Sequence, residues 1–315
     1  MTSPHDPQAK EYAHIRGTRD DLLDRLAVSE LCKGWPVYRD ASEWKNYRSL
    51  FADDAYVWTT WSKRLHIDAF IEASKKGKSA GDFIMHRECG TMVDLNPATG
   101  RAVGKMKVTI TQRFRQAVHD MQRGHLTANN WSGLANTSTS TAEDAEAMIA
   151  ADVEYDVDCD CQFHFFCAKE PVASSSSAAS GGEKVEEEWK VEYVKLIYSK
   201  DKIVPVDGHR VPVFTPAELA PYPEGYKYLG AAQARLGHAM DLHLPTPGDK
   251  ARWLDLYEKM GQWLEGQEDI DLVGCGGGGG GTVEDAAGAA STESSPATAA
   301  GTATTGASAV TSSSK

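Results

Sequence analysis

The sequence predicts an α+β fold, with helices gathered at the N-terminal end and a run of long strands after them. Three observations carry this. Apolar residues recur at helical spacing between Leu22 and Ile71. Long runs rich in β-branched and aromatic residues then fill the stretch from Phe83 to Ile203. Strand and helix do not alternate as a doubly wound parallel sheet requires, so the long strands are expected to pair as an antiparallel meander.

Each element has its own signal. Thr18-Arg19-Asp20-Asp21 has the form of a capping box, and Leu22, Leu26, Ala27 and Leu31 follow on one helical face. Pro36 is expected to kink or end that helix. Trp44, Tyr47, Leu50 and Phe51 mark a second helix. Ala55 to Trp61 reads as a strand, and Ile67, Phe70 and Ile71 as a third, short helix. Phe83 to Leu95 and Arg101 to Phe114 are two strands joined by the turn-forming run Asn96-Pro97-Ala98-Thr99-Gly100. Val153 to Cys167 and Trp189 to Ile203 are two more. Beyond them a Pro/Gly-rich stretch leads into helical spacing at Tyr226, Leu229, Ala232 and Leu236. The spacing recurs at Trp253, Leu254, Tyr257 and Trp263.

The chain has 315 residues, 41% hydrophobic and 25% charged, which suits one large domain or two small ones. Residues 1–17 read as a flexible N-terminus and 18–207 as the main domain. Within it, polar insertions near 134–147 and 172–188 read as flexible excursions. Residues 208–266 form a helical extension expected to pack on the main domain. The Gly/Ala/Ser/Thr tail at 267–315 has too little apolar surface to order itself. A net charge of −12 argues against a nucleic-acid partner, since phosphate binding needs a basic face. There is no apolar run of membrane-spanning length and no apolar signal core at the N-terminus. The expectation is a cytoplasmic protein without a membrane partner. Six cysteines in a chain this long read as reduced, mostly buried thiols.

One strand stands out for chemistry. Asp156, Asp158, Asp160, Gln162 and His164 alternate along it, so they share one face, while Tyr155, Val157, Cys159, Cys161, Phe163 and Phe165 share the other. If the polar face lines a pocket, Asp160, Gln162 and His164 reach a substrate. The other reading is a solvated polar face with the apolar one inward. Tyr38, Trp58, Trp61 and Phe83 are candidates for an aromatic pocket wall. The acidic run lacks the Gly and the terminal Glu of a calcium loop, and Gly77-Lys78-Ser79 lacks the upstream Gly of a phosphate loop. Neither a metal nor a cofactor is therefore expected.

The stretch from Leu22 to Trp58, with Asp40, Glu43-Trp44 and the run Leu50 to Ala55, resembles the opening of SnoaL-like proteins of the nuclear transport factor 2-like superfamily. Met85-His86-Arg87, Gly100-Arg101-Ala102 and Glu188-Trp189-Lys190-Val191 continue the resemblance, which is nearest to the scytalone dehydratase-like branch. It implies a cone-shaped half-barrel, a curved antiparallel sheet wrapped around the N-terminal helices and enclosing a deep pocket. It also implies a homodimer or homotrimer. By the same resemblance Asp40 and His86 match an Asp and a His that work together in the dehydratases. Thr111 falls where those enzymes have a second His, and Thr59 near a substrate-polarising Tyr. Asp160 and Gln162 take the places of a Ser and an Asn. The expected activity is that of a cofactor-independent lyase or isomerase of dehydratase or cyclase type. Its substrate would be a small polyketide-like or aromatic molecule. Tyr38, Trp58, Thr59, Thr111, Asp160, Gln162 and His164 are the candidate substrate-binding residues. The rival is a non-catalytic module of the same fold that binds a small molecule or docks a partner.

Overall fold

The computed structural model describes residues 17–116, 153–172, 186–268 and 270–271. The N-terminal stretch before Gly17, the insertion at 134–147, most of 172–188 and nearly all of 267–315 lie outside the described residues.

Helix α1, Arg19–Asp40, begins at its capping box. Thr18 Oγ1 accepts from the Asp21 N–H, and the Asp21 carboxylate accepts from the Thr18 N–H. Pro36 does not end the helix. Trp35, Pro36 and Arg39 are all buried, so the packing of the last turn outweighs the backbone bond that proline cannot make. Helix α2, Trp44–Ser49, stops short of Phe51, which opens strand β1, Phe51–Thr59. Strand β2, Lys63–His66, has no apolar signature and the sequence pattern does not reveal it. Helix α3 runs Ile67–Ser79 and buries Ile67, Phe70, Ile71 and Ser74.

Four long strands follow: β3, Ile84–Asn96; β4, Arg101–Arg115; β5, Glu154–Pro171; and β6, Glu187–Pro205. The sheet is open, in the order β2-β1-β6-β5-β4-β3. The long strands pair antiparallel as expected, but β1 joins β6 in parallel, so the sheet is mixed.

The side-chain alternation fixes which face is which. On β4 the even residues Met106, Val108, Ile110 and Phe114 pack into the main core; on β5 the odd ones, Tyr155 to Phe165, do. Trp35 of α1 sits at the centre, with ring centroids 5.4 Å from Phe163, 5.5 Å from Tyr47 and 5.7 Å from Phe70. The apolar face of β5 is therefore the inward one.

The C-terminal extension covers the sheet twice. Helix α5, Lys227–Arg235, lies toward the main core, and the short helix α4, Pro216–Leu219, with no buried residue, is tied to it by Glu218 and Arg235. Helix α6, Lys250–Leu264, covers the outer face, where Leu256, Met260, Trp263 and Leu264 cluster with Val103, Phe166, Tyr193 and Ile197. That second layer explains why β5 is buried on both faces from Phe163 to Ala168. The N-terminus of α5 is capped from the sheet: Tyr226 provides no side-chain cap, and Asp201 of β6 accepts from the Leu229 N–H at 2.8 Å. Just before it, Gly225 lies flat on the Tyr198 carbonyl, and a Cβ there would collide with that oxygen. Gly225→Ala is expected to cost about 1–3 kcal/mol, the usual range for forced overpacking. Chemical denaturation measures it, and an unchanged midpoint would refute the close approach.

Candidate active site

Asp40 is the last residue of α1, and His86 is the third of β3. The carboxylate grips the histidine twice. Asp40 Oδ2 accepts from the His86 backbone N–H at 2.6 Å, and Oδ1 accepts from Nδ1 of the ring at 2.7 Å. A carboxylate only accepts, so Nδ1 carries the hydrogen and Nε2 keeps its lone pair. The His86 side chain is 4% exposed and Asp40 is 20% exposed.

Burial holds the His86 imidazole below its usual pKa; the bond to Asp40 pushes the other way, and Arg39 and Lys78 add to the lowering. The ring is thus a neutral base at pH 7. Lys78 closes the C-terminal end of α1, donating to the carbonyls of Arg39 at 2.8 Å and Asp40 at 2.6 Å, and to Ser42 Oγ at 3.1 Å.

His86 lines a cavity of about 30 Å³ between α1, α3, the sheet and α5. That is room for about two water molecules. Its aromatic wall is Trp35, Trp61, Phe70, Phe163 and Tyr198. Its polar members besides His86 are Arg39, Thr59, Thr60, Gln112 and Gln233. Gln233 comes from α5 and ties the roof down. Its Nε2 donates to Gln112 Oε1 at 2.9 Å, and its Oε1 accepts from Thr60 Oγ1 at 2.8 Å. The extension thereby closes the cavity.

Of the residues expected from the sequence, the cavity gathers His86, Thr59 and Trp61, with Asp40 directly behind the histidine. The other expected pocket residues are placed elsewhere. Thr111, Asp160, Gln162 and His164 face outward, because on these strands Gln112 and Phe163 hold the inward positions, and a shift of one residue changes the face. Thr111 Oγ1 donates to Asp158, and Thr109 Oγ1 to Asp160, which also pairs with Lys200 at 3.3 Å. Trp58 also faces outward. Its indole N–H donates to Asp241 at 2.5 Å, and Lys195 Nζ lies 4.3 Å from the ring centroid. Tyr38 packs half-buried against the core without lining the cavity, and Phe83 is 45% exposed.

Arg39, Thr60, Gln112 and Gln233 are the polar cavity residues the sequence pattern does not single out. An arginine on an amphipathic helix reads as solvated. Gln112 carried one available signal, its alternation with Thr111, whereas Gln233 carried none. Among the described residues, no group of three or more His, Cys, Asp or Glu side chains converges as a metal site would require. No helix among them is long and apolar enough to cross a membrane.

Relatives match about four-fifths of the chain. A PEP2-like protein of Fusarium vanettenii is 36% identical over 270 residues, covering 82% of this chain and 94% of that one. Pea pathogenicity protein 2 of the same fungus is 34% identical over 270 residues, with the same coverage. A protein of Aspergillus terreus is 37% identical over 248 residues, 78% of each chain. Among solved structures, a candidate scytalone dehydratase from Novosphingobium aromaticivorans is 13% identical with a TM-score of 0.35, covering 63% of this chain and 97% of its own. A hexachlorocyclohexane dehydrochlorinase from Novosphingobium barchaimii is 11% identical with a TM-score of 0.36, covering 62% and 98%. The SnoaL-like domain family matches residues 20–157, the span that holds the Asp40–His86 pair. The chain belongs to the SnoaL-like family of the nuclear transport factor 2-like superfamily.

Proposed function

We propose that the protein is a cofactor-independent lyase or isomerase that moves a proton on a small molecule held in the His86 cavity. One observation carries this: a neutral, buried imidazole whose Nδ1 and backbone N–H are both held by one carboxylate, with Nε2 left for the ligand. His86 takes the proton, and Asp40 is the positioning residue that fixes the tautomer and stabilises the imidazolium. The aromatic wall suits a flat polyketide-like or aromatic substrate. Dehydration, cyclisation and double-bond migration share this first step. A homo-oligomer in the cytoplasm is the setting we infer for it.

The small volume of the cavity favours a second reading, a binding module without turnover. The two separate in one experiment. Metabolites that accumulate in a strain lacking the protein are purified and offered to the wild-type protein after exhaustive dialysis against a chelator. Conversion at undiminished rate, with solvent deuterium entering the product, supports proton transfer by the chain's own residues. Tight binding without conversion supports the module. Activity lost on dialysis and restored by a divalent cation would overturn the cofactor-independent reading.

A further inference from the structure

We propose that the ligand of this cavity carries a carboxylate, and that Arg39 holds it beside Nε2 of His86. The proposal rests on the reading above for what the ligand is, a substrate, and adds its chemical class.

Arg39 is 4% exposed and lines the cavity. Its guanidinium has no carboxylate partner among the described residues. Nε is buried without any hydrogen-bond partner, and Nη2 reaches only Ser74 Oγ, at 3.5 Å. It also lies over the face of Phe70, 5.4 Å from the ring centroid, and Tyr47, Asp40 and Tyr198 act on its charge without a hydrogen bond to it. A cation taken out of water without an anion is costly, and arginines buried in cores are normally paired. The nearest acid in sequence, Asp40, acts on Arg39 through space without a hydrogen bond to it; the bonds its carboxylate makes go to His86.

The local charge balance points the same way. The charged groups acting on the His86 ring are Asp40, Arg39 and Lys78, one anion against two cations. The imidazole itself is neutral, so the site carries one surplus positive charge. Lys78 is half-buried and reached by water, whereas the Arg39 guanidinium is buried: a neutral ligand would leave it without a hydrogen-bonded anion, and a carboxylate would supply one. The shape agrees. Nε and Nη2 form the side-on edge of the guanidinium, two parallel donors spaced for the two oxygens of a carboxylate. A second unpartnered donor, the indole N–H of Trp35, belongs to the same cavity wall. Its vacant valence also calls for an acceptor rather than a donor. The volume of about 30 Å³ matches a carboxylate with one small substituent. A larger substrate must displace the α5 roof at Leu229 and Gln233 to seat the remainder.

The test uses acetate and its neutral isostere acetamide on the full-length protein, with histidine side chains labelled with ¹⁵N. Acetamide is added with sodium chloride at matched ionic strength, so that screening and simple anion effects are equal. Acetate is expected to shift the His86 ring resonances saturably, with at least about tenfold tighter binding than acetamide, as a charge-assisted bidentate contact requires. In Arg39→Gln the preference for acetate is expected to vanish, and the His86 titration midpoint to rise because a neighbouring cation is gone. That rise follows from the lost charge alone and checks only that the variant is folded with residue 39 beside His86; the lost preference for acetate is the readout that a merely structural arginine would not move. If Arg39→Gln does not fold, the wild-type comparison and Lys78→Met decide, the latter expected to weaken acetate by about two- to threefold through the lost charge. Equal response to acetate and acetamide would overturn the proposal, as would undiminished acetate binding in folded Arg39→Gln. Either result leaves the role of His86 standing. Conversely, turnover retained in His86→Ala would remove the catalytic reading without touching the acetate result.

Discussion

His86→Ala is expected to lower turnover by about 10²- to 10⁴-fold, the usual contribution of a positioned acid–base group, while the protein stays folded. The side chain lines a cavity rather than filling a core, and Asp40 keeps its bond to the backbone N–H of residue 86 after the ring is gone. Asp40→Asn keeps the shape and loses the charge that stabilises the imidazolium, so it slows the reaction without changing ligand affinity greatly. The pH profile gives an independent sign. Burial and two neighbouring cations hold His86 below its ordinary midpoint of 6.5, so the acid limb of kcat/KM is expected below that value. Asp40 is the group that pushes it up, so Asp40→Asn moves the limb further down. Thr111→Ala is expected to retain nearly full turnover, because Thr111 bonds to Asp158 on the outer face of the sheet. Turnover and ligand affinity measured for each folded variant check all of this. Full activity in His86→Ala would leave the binding-module reading, or a different base.

The parts legible in the sequence and the parts hidden from it differ in where their information lies. The four long strands and the capping box are local signals, and they stand within a few residues of where the pattern put them. The pairing of Asp40 with His86 is not local; only the resemblance of the Leu22–Trp58 stretch to a known family placed 46 residues of separation within one hydrogen bond. The alternation of Asp156 to His164 was readable, but which face turned inward was not. That choice depends on the aromatic cluster around Trp35, which needs the apolar side of β5. Arg39 and Gln233 were hidden for the same reason. Burial of a polar side chain is decided by what packs over it, and for Gln233 its partner Gln112 is 121 residues away. The parallel β1–β6 contact was unreadable because a short strand carries no mark of its partner's direction.

His164 gives the largest expected effect on stability, through acid. It lies on the outer face of β5, fully buried beneath α6, and neither ring nitrogen has a partner. Lys105 of β4 and Lys195 of β6 are its register neighbours, and Tyr257 of α6 packs edge-on against the ring at 5.8 Å. Lys105 is paired with Asp94 at 2.6 Å, so its charge is largely answered, yet it still adds to the effect of burial. Together they pull the imidazole down to about 3 from 6.5. The unfolded chain therefore binds a proton on His164 that the folded chain refuses between those values. The stabilisation is fully present above pH 6.5 and is lost as the pH falls toward about 3. Between pH 7 and pH 5 the loss amounts to about 2 kcal/mol, from the linkage relation with these two midpoints. His164→Leu replaces an unpartnered polar ring with an apolar side chain under the buried face of α6. It is expected to be neutral or slightly stabilising at pH 7 and to lose about 2 kcal/mol less than the wild type on going to pH 5. The comparison with the wild type is essential, because Asp201, raised to about 6 mainly by burial, gains stability as the pH falls through the same range. That opposing contribution is common to both proteins and cancels in the difference. Urea denaturation at the two pH values measures it. Equal losses in the two proteins would mean that protonated His164 is accommodated beneath α6, whose Leu256, Met260 and Trp263 would then pack far less firmly on the sheet than their burial implies.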